Sequence, residues 1–212
     1  MQKPQLFGAD YSVYVRAVRL ALMEKGVDYG LTPVDVFAPG GPPSSHLVRH
    51  PFGRIPAFEH GDFALYETGA ITRYVDEAFA GPALQPKDAR RRARMNQMIG
   101  IADSYVYPIL VWGIYVEQAS KPSSGRETDA AKLAASLAKA PVCLKAVTDL
   151  MGDGPWLCGN ELTLADLHLA PMMDYFMKAL AAVELMADFP ALMEWWEQIS
   201  ARPAMRATIP TS

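Results

Sequence analysis

Very little in this chain of 212 residues is extreme, and each shortage closes off a class of function. There are two cysteines, Cys143 and Cys158, far apart and without metal-ligand spacing, so no disulfide framework and no metal site is expected. Both read as reduced, buried or half-buried thiols of a cytoplasmic protein. Charge of neither sign is in excess: the net charge is −3 and the pI about 5.8, which gives no reason to expect nucleic acid. The one basic run, Arg90-Arg91-Arg92-Ala93-Arg94, reads as a solvated helix start or a subunit contact. The most apolar stretch, Tyr105 to Val116, contains Pro108 and Gly113 and falls far short of the ~20 residues of a membrane span. No basic-then-apolar leader opens the chain, so neither a membrane nor secretion is expected. No internal repeat is visible.

What is present is ordinary globular material, 50% hydrophobic and 20% charged, long enough for either one domain or two with real cores. The chain is organised around the stretch from Pro51 to Val75. Arg54-Ile55-Pro56 leads into a short strand at Ala57–Glu59, a turn at His60-Gly61-Asp62, a second strand at Phe63–Tyr66, and a helix start at Glu67-Thr68. Thr68 fits an N-cap, with Ile71, Val75 and Phe79 following at helical spacing. A helix N-terminus preceded by a carboxylate and a hydroxyl suits a ligand that carries an ammonium and a carboxylate together.

Before this clamp, Gln5–Gly8 reads as a first strand, and Ser12 opens a helix that Gly26 stops. Tyr29–Val36 reads as a second strand, kept to an edge by Pro33. Ala38–Ser45 is loop by composition. The resulting β-α-β, β-β-α order predicts a small mixed sheet of the thioredoxin-like kind over residues 1–80, without the Cys-x-x-Cys of thioredoxin's own chemistry. A linker is expected over 81–88 and an all-helical domain over 89–212. Within that domain Pro108 predicts a kink, and Pro141 a kink or break. Thr163 and Asp166 form a Thr-x-x-Asp capping box, flanked by Leu162 and Leu167 as a hydrophobic staple. The final helix is expected to end before Arg202-Pro203.

Four segments together resemble the cytosolic glutathione transferases: SVYVRAVRLALME at Ser12–Glu24, HPFGRIPAFE at His50–Glu59, LYETGAITRY at Leu65–Tyr74 and LTLADLHLAP at Leu162–Pro171. The resemblance covers nearly the whole chain. It implies a thioredoxin-like α/β domain that binds glutathione and an all-α domain lining the second-substrate pocket. It makes Pro56 a cis-proline, with the Ile55 backbone pairing with the cysteinyl unit of glutathione. It makes Glu67 and Thr68 the acid–hydroxyl pair that holds the γ-glutamyl group, with Arg54 reaching the same group or the peptide.

The family divides by what supports the thiolate. The tyrosine position is Phe7-Gly8 here, and no cysteine begins the first helix. Ser12 falls on the serine of the phi-, theta- and zeta-like classes, and no class is assigned beyond that serine type. Lowering a thiol two units from a pKa of about 8.5 needs roughly 2.7 kcal/mol. A hydroxyl hydrogen bond to a charged sulfur supplies about 1.5–3 kcal/mol and the helix N-terminus about 0.3–1 more. Ser12 is also a natural N-cap, and the hydroxyl of Tyr11 or Tyr14 stands as an alternative donor.

The His-Lys pair that holds the glycine carboxylate in phi-like classes is Gly41-Pro42 here. His46 or His50 could substitute, although each reads more plainly as a solvated loop or turn residue. Tyr105, Trp112 and Tyr115 recur at helical spacing, as core or, with Tyr11 and Tyr14, as the wall of a pocket for a flat apolar electrophile. Phe52 is a candidate homodimer anchor, or else buried at a domain interface, and Asp103 is a candidate for reaching the partner's glutathione amine. The implied activity is conjugation of glutathione to small hydrophobic electrophiles in detoxification. A glutathione-dependent isomerase, dehalogenase or peroxidase, or a non-catalytic binding module, shares the same front end.

Overall fold

The computed structural model describes residues 2–211, so the expected domain bounds at 1 and 212 lie outside it. Two compact units result, one running to Gln85 and resuming at Pro203, the other from Pro86 to Arg202.

The first unit holds strands β1 (Gln5–Phe7), β2 (Gly30–Thr32), β3 (Ala57–His60) and β4 (Phe63–Tyr66). Its helices are α1 (Val13–Glu24), α2 (Ser44–Leu47), α3 (Thr68–Ala78) and, from the chain's end, α9 (Pro203–Ala207). The sheet order is β2-β1-β3-β4, with β1 parallel to β2 and antiparallel to β3, and β3 antiparallel to β4. β2 is the edge expected from Pro33, but it stops at Thr32, short of the predicted Val36, because proline cannot continue the ladder. Gly61, with φ 67, supplies the left-handed turn that a two-residue hairpin loop demands.

Alternation sorts the strand side chains. The paired Leu6 and Phe58 are fully buried, while their neighbours Phe7 and Ala57 join Val34, with Val36 and Ile55 packed against them. Helices α1 and α3 pack on each other, burying Val15, Val18, Leu22, Ile71 and Val75.

Three features of this unit depart from expectation. Pro43 and the serines after it start α2 rather than extending the loop. Thr68 is the first helical residue of α3, and Glu67 takes the cap position with φ 72. The stretch from Pro203 belongs here and not with the helical domain, because the buried Arg16 guanidinium donates to Thr208 Oγ1 at 3.2 Å and to the Met205 carbonyl at 3.1 Å. The first linker residues are also tied down. Asp76 pairs with buried Lys25 at 3.1 Å and accepts from the Leu84 N–H at 2.8 Å.

The second unit contains α4 (Ala89–Ser123), α5 (Ala130–Leu150), α6 (Leu164–Phe176), α7 (Ala182–Ala187) and α8 (Pro190–Ser200). α4 is long and apolar enough to cross a membrane by length and composition, contrary to the short run read from sequence. Both α5 and α6 pack against it, however. Pro108 lies where α4 adopts a wider π-type hydrogen-bonding pattern over Ala102–Ser120, and α5 runs through Pro141 without a break.

Buried carboxylates tie this unit together. Asp166 accepts from the N–H groups of Leu157 and Thr163, from Thr163 Oγ1 and from Trp195 Nε1, each at 2.8 Å. Burial pushes its pKa up, against the pull of those donors. Glu117, fully buried, pairs with Lys121 at 2.7 Å and Lys132 at 3.1 Å and accepts from the Asp129 N–H at 2.9 Å. Burial alone would raise its pKa, but these partners bring it down to about 2. Cys143 and Cys158 are free and buried, their thiols pushed up to about 12 and about 11 chiefly by burial.

Candidate active site

Strand register assembles the site. Ala57 pairs with Phe7 on one side and with Tyr66 on the other. The end of β1, the start of β3 and the end of β4 therefore lie in one row across the sheet. The segments that continue from this row are Gly8–Ser12, Ile55-Pro56 and Glu67-Thr68, and so three pieces distant in sequence meet at one edge. The Ile55–Pro56 bond is cis, as the resemblance implied. The approach of α1 is equally close: a Cβ on Gly8 would collide with Val15 Cγ2 and lie 3.3 Å from Ile55 Cβ. Glycine is required there so that the first turn of α1 can sit against the proline loop.

Ser12 caps α1, its Oγ accepting from the Val15 N–H at 3.3 Å. Accepting through a lone pair leaves its own proton available for donation. The rival donor Tyr11 is engaged, since its hydroxyl donates to Asp35 Oδ1 at 2.7 Å. That bond leads the influences that lower the Asp35 pKa, and the Phe37 N–H reinforces it at 2.9 Å. Asp35 was not among the sequence candidates. Its signal was there as Asp-x-Phe after Pro33, the pattern in which an aspartate accepts from the backbone two residues on. Tyr14 is half-buried in α1. Phe7, at the tyrosine position of other classes, is buried with the Arg49 guanidinium 4.2 Å above its ring.

A cavity of about 410 Å³ is lined by Phe52, Arg54 and Glu67. Arg54 and Glu67 are exposed there, a cation and an anion facing the same space, and Thr68 is buried beside them. Phe52 is 71% exposed. His46 and His50 correct the expectation of solvated residues, since each is only 2% exposed. Burial pushes the His50 pKa down by more than the Glu67 carboxylate raises it. Gly41 and Pro42 lie in the loop before α2, and Gly41 has φ 77.

In the second unit the aromatic stripe does not stay together. Trp112 meets Tyr107 edge-on and lies under Lys132, whereas Tyr115 packs on Tyr175 of α6, 4.7 Å between ring centroids. Tyr105 is exposed. Burial raises the Tyr115 pKa, with Asp174 adding to it. Asp103 pairs with the buried His168 of α6 at 2.7 Å and remains part-exposed. Among the described residues no group of His, Cys, Asp or Glu is placed to hold a metal ion.

A four-stranded mixed sheet with a cis-proline beside it, followed by a helical unit, is the architecture that the resemblance implied. Family models for the glutathione S-transferase N-terminal domain match residues 6–83, and for its C-terminal domain residues 109–203. A glutathione S-transferase of Hyoscyamus muticus is 33% identical over 207 residues, 97% of each chain. The solved apo glutathione S-transferase III superposes with a TM-score of 0.84 at 30% identity, covering 98% of this chain and 96% of its own. Glutathione S-transferase-I, solved with lactoylglutathione, superposes with a TM-score of 0.82 at 25% identity over 98% of both chains. The chain belongs to the glutathione S-transferase family and is a transferase that uses glutathione.

Proposed function

We propose that the protein activates glutathione as its thiolate at Ser12 and joins it to small apolar electrophiles. The observation that carries this reading is the row Phe7–Ala57–Tyr66, which sets the Ser12 cap, the cis-proline loop and the Glu67-Thr68 helix start side by side. Glu67 and Arg54 receive the ammonium and carboxylate of the γ-glutamyl group, Thr68 adds its hydroxyl, and the Ile55 backbone pairs with the cysteinyl unit. The thiol proton leaves to solvent, the Ser12 hydroxyl donates to the sulfur, and the sulfur lone pair forms a bond to carbon as the electrophile's leaving group departs. The serine does not act as a base. The relative that holds lactoylglutathione supports a glutathione adduct as the bound species.

Aromatic side chains, Tyr11 and Tyr14 among them, are proposed to receive the electrophile. We assign the protein to the cytoplasm, to detoxification and to a homodimer anchored by Phe52, with Asp103 directed to the partner's glutathione. Retention on immobilised glutathione, with turnover of chlorodinitrobenzene, tests the reading. Binding with no turnover across several electrophiles would point to a non-catalytic module instead. Ser12→Ala should raise the pKa of the bound thiol by about 1–2 units, as expected for loss of one charge-assisted hydrogen bond. An unchanged thiolate titration, read by ultraviolet absorbance, would remove Ser12 from the mechanism.

A further inference from the structure

From sequence His46 reads as a solvated loop residue or as a stand-in for the missing contact to the glycine carboxylate, yet it is buried. It sits on α2, and its Nε2 lies 2.7 Å from the Arg54 carbonyl oxygen. A carbonyl can only accept, so Nε2 carries the proton and donates. The other ring nitrogen, Nδ1, makes no hydrogen bond among the described residues. A phenylalanine would fill the same buried space without a nitrogen, so the imidazole is distinguished by its single bond to Arg54.

That bond reaches a particular peptide. The Arg54 carbonyl and the Ile55 N–H belong to one planar unit and point to opposite sides of it. Fixing the carbonyl therefore fixes the direction of the N–H. Among the described residues the Ile55 N–H has no hydrogen-bond partner in the protein. The same imidazole stacks on His50 with 6.3 Å between centroids, and His50 packs at 4.8 Å on Tyr66, the residue before Glu67. The two buried imidazoles thus connect the proline loop with Tyr66, just before the Glu67-Thr68 helix start.

We propose that His46 is a positioning residue for glutathione, holding the Arg54–Ile55 peptide so that the Ile55 N–H is aimed at the cysteinyl unit. The inference rests on the glutathione site proposed above. It is tested with His46→Phe, which keeps a buried ring and loses the donor, and His46→Gln, whose amide N–H can stand near the position of Nε2. In calorimetry and steady-state assays His46→Phe should raise the Kd and KM for glutathione about tenfold, the range set by one lost hydrogen bond. His46→Gln should restore most of that loss. The KM for chlorodinitrobenzene, kcat at saturating glutathione and the bound thiol's pKa should stay as in the wild type. If His46→Phe does not fold, His46→Met makes the same comparison with a more adaptable side chain.

Wild-type affinity for glutathione in the donor-less variant, with only a lower Tm, would overturn the inference and leave the site standing. Loss of affinity that His46→Gln does not restore, or an effect confined to kcat, would also overturn it. A wild-type protein that takes up no glutathione would overturn the proposed site, and this inference with it.

Discussion

Glu67 shows what the site demands of one residue. Among the described residues other than glycine it alone has a positive φ, 72°, with ψ at 116°, and it occupies the cap position of α3. Backbone held in such a region costs about 1–3 kcal/mol and persists where its surroundings over-determine it. Here the hairpin fixes Tyr66 opposite Ala57, α3 begins one residue after Glu67, and the side chain is thereby turned into the cavity with Arg54. Glu67→Gly separates the two consequences. The glycine should raise Tm by a few degrees, about the effect of 1 kcal/mol in a protein of this size, while removal of the carboxylate should raise the KM for glutathione at least tenfold. Thermal melting and steady-state kinetics on one preparation check both. A variant that melts lower than the wild type would show that the carboxylate, and not the backbone, stabilises this turn.

Elements of this fold were legible where the cause lay close in sequence. The β3–β4 hairpin, the Ser12 cap and the Thr163–Asp166 box are signals within a few residues, and each is present. What could not be read depends on distant partners. Arg16 looks like a surface charge on an amphipathic helix until Thr208 and Met205, some 190 residues on, are placed beside it. Asp166 was legible as a cap but not as the acceptor for Leu157 and Trp195. Asp166→Ala should therefore cost more than a lost cap, since it strands two further buried donors at about 1–3 kcal/mol each. Denaturant unfolding checks this, and a loss near 1 kcal/mol would mean that only the cap matters. Glu117 was likewise invisible among helical polar residues, although it joins the end of α4 to the start of α5. Its folded pKa of about 2 lies below the ordinary 4.5, so its contribution is complete above about pH 4.5 and is lost as pH falls toward 2. Glu117→Gln should lower stability at pH 7 and flatten the acid limb of the stability curve over that window.

At the scale of the whole molecule, the faces left uncovered bear on assembly. Phe52 at 71% and Val48 at 87% are exposed large apolar side chains near the end of the first unit's turn, with Leu47 partly exposed beside them. Phe52 is held in place from behind, its ring meeting His50 and Tyr66 edge-on at 6.2 and 6.3 Å. An aromatic side chain that is rigidly supported and turned outward has little conformational entropy left to lose on docking, which suits an interface anchor. Phe52 also lines the cavity with Arg54 and Glu67, so a subunit seated on it would wall the proposed glutathione site as well. Phe52→Ser should then shift the protein from dimer to monomer in sedimentation at micromolar concentration and raise the KM for glutathione in parallel. Monomeric wild-type protein would refute the anchor role. A variant that remains dimeric with an altered KM would confine Phe52 to the wall of its own site, leaving Val48 and Leu47 to be tested as the contact.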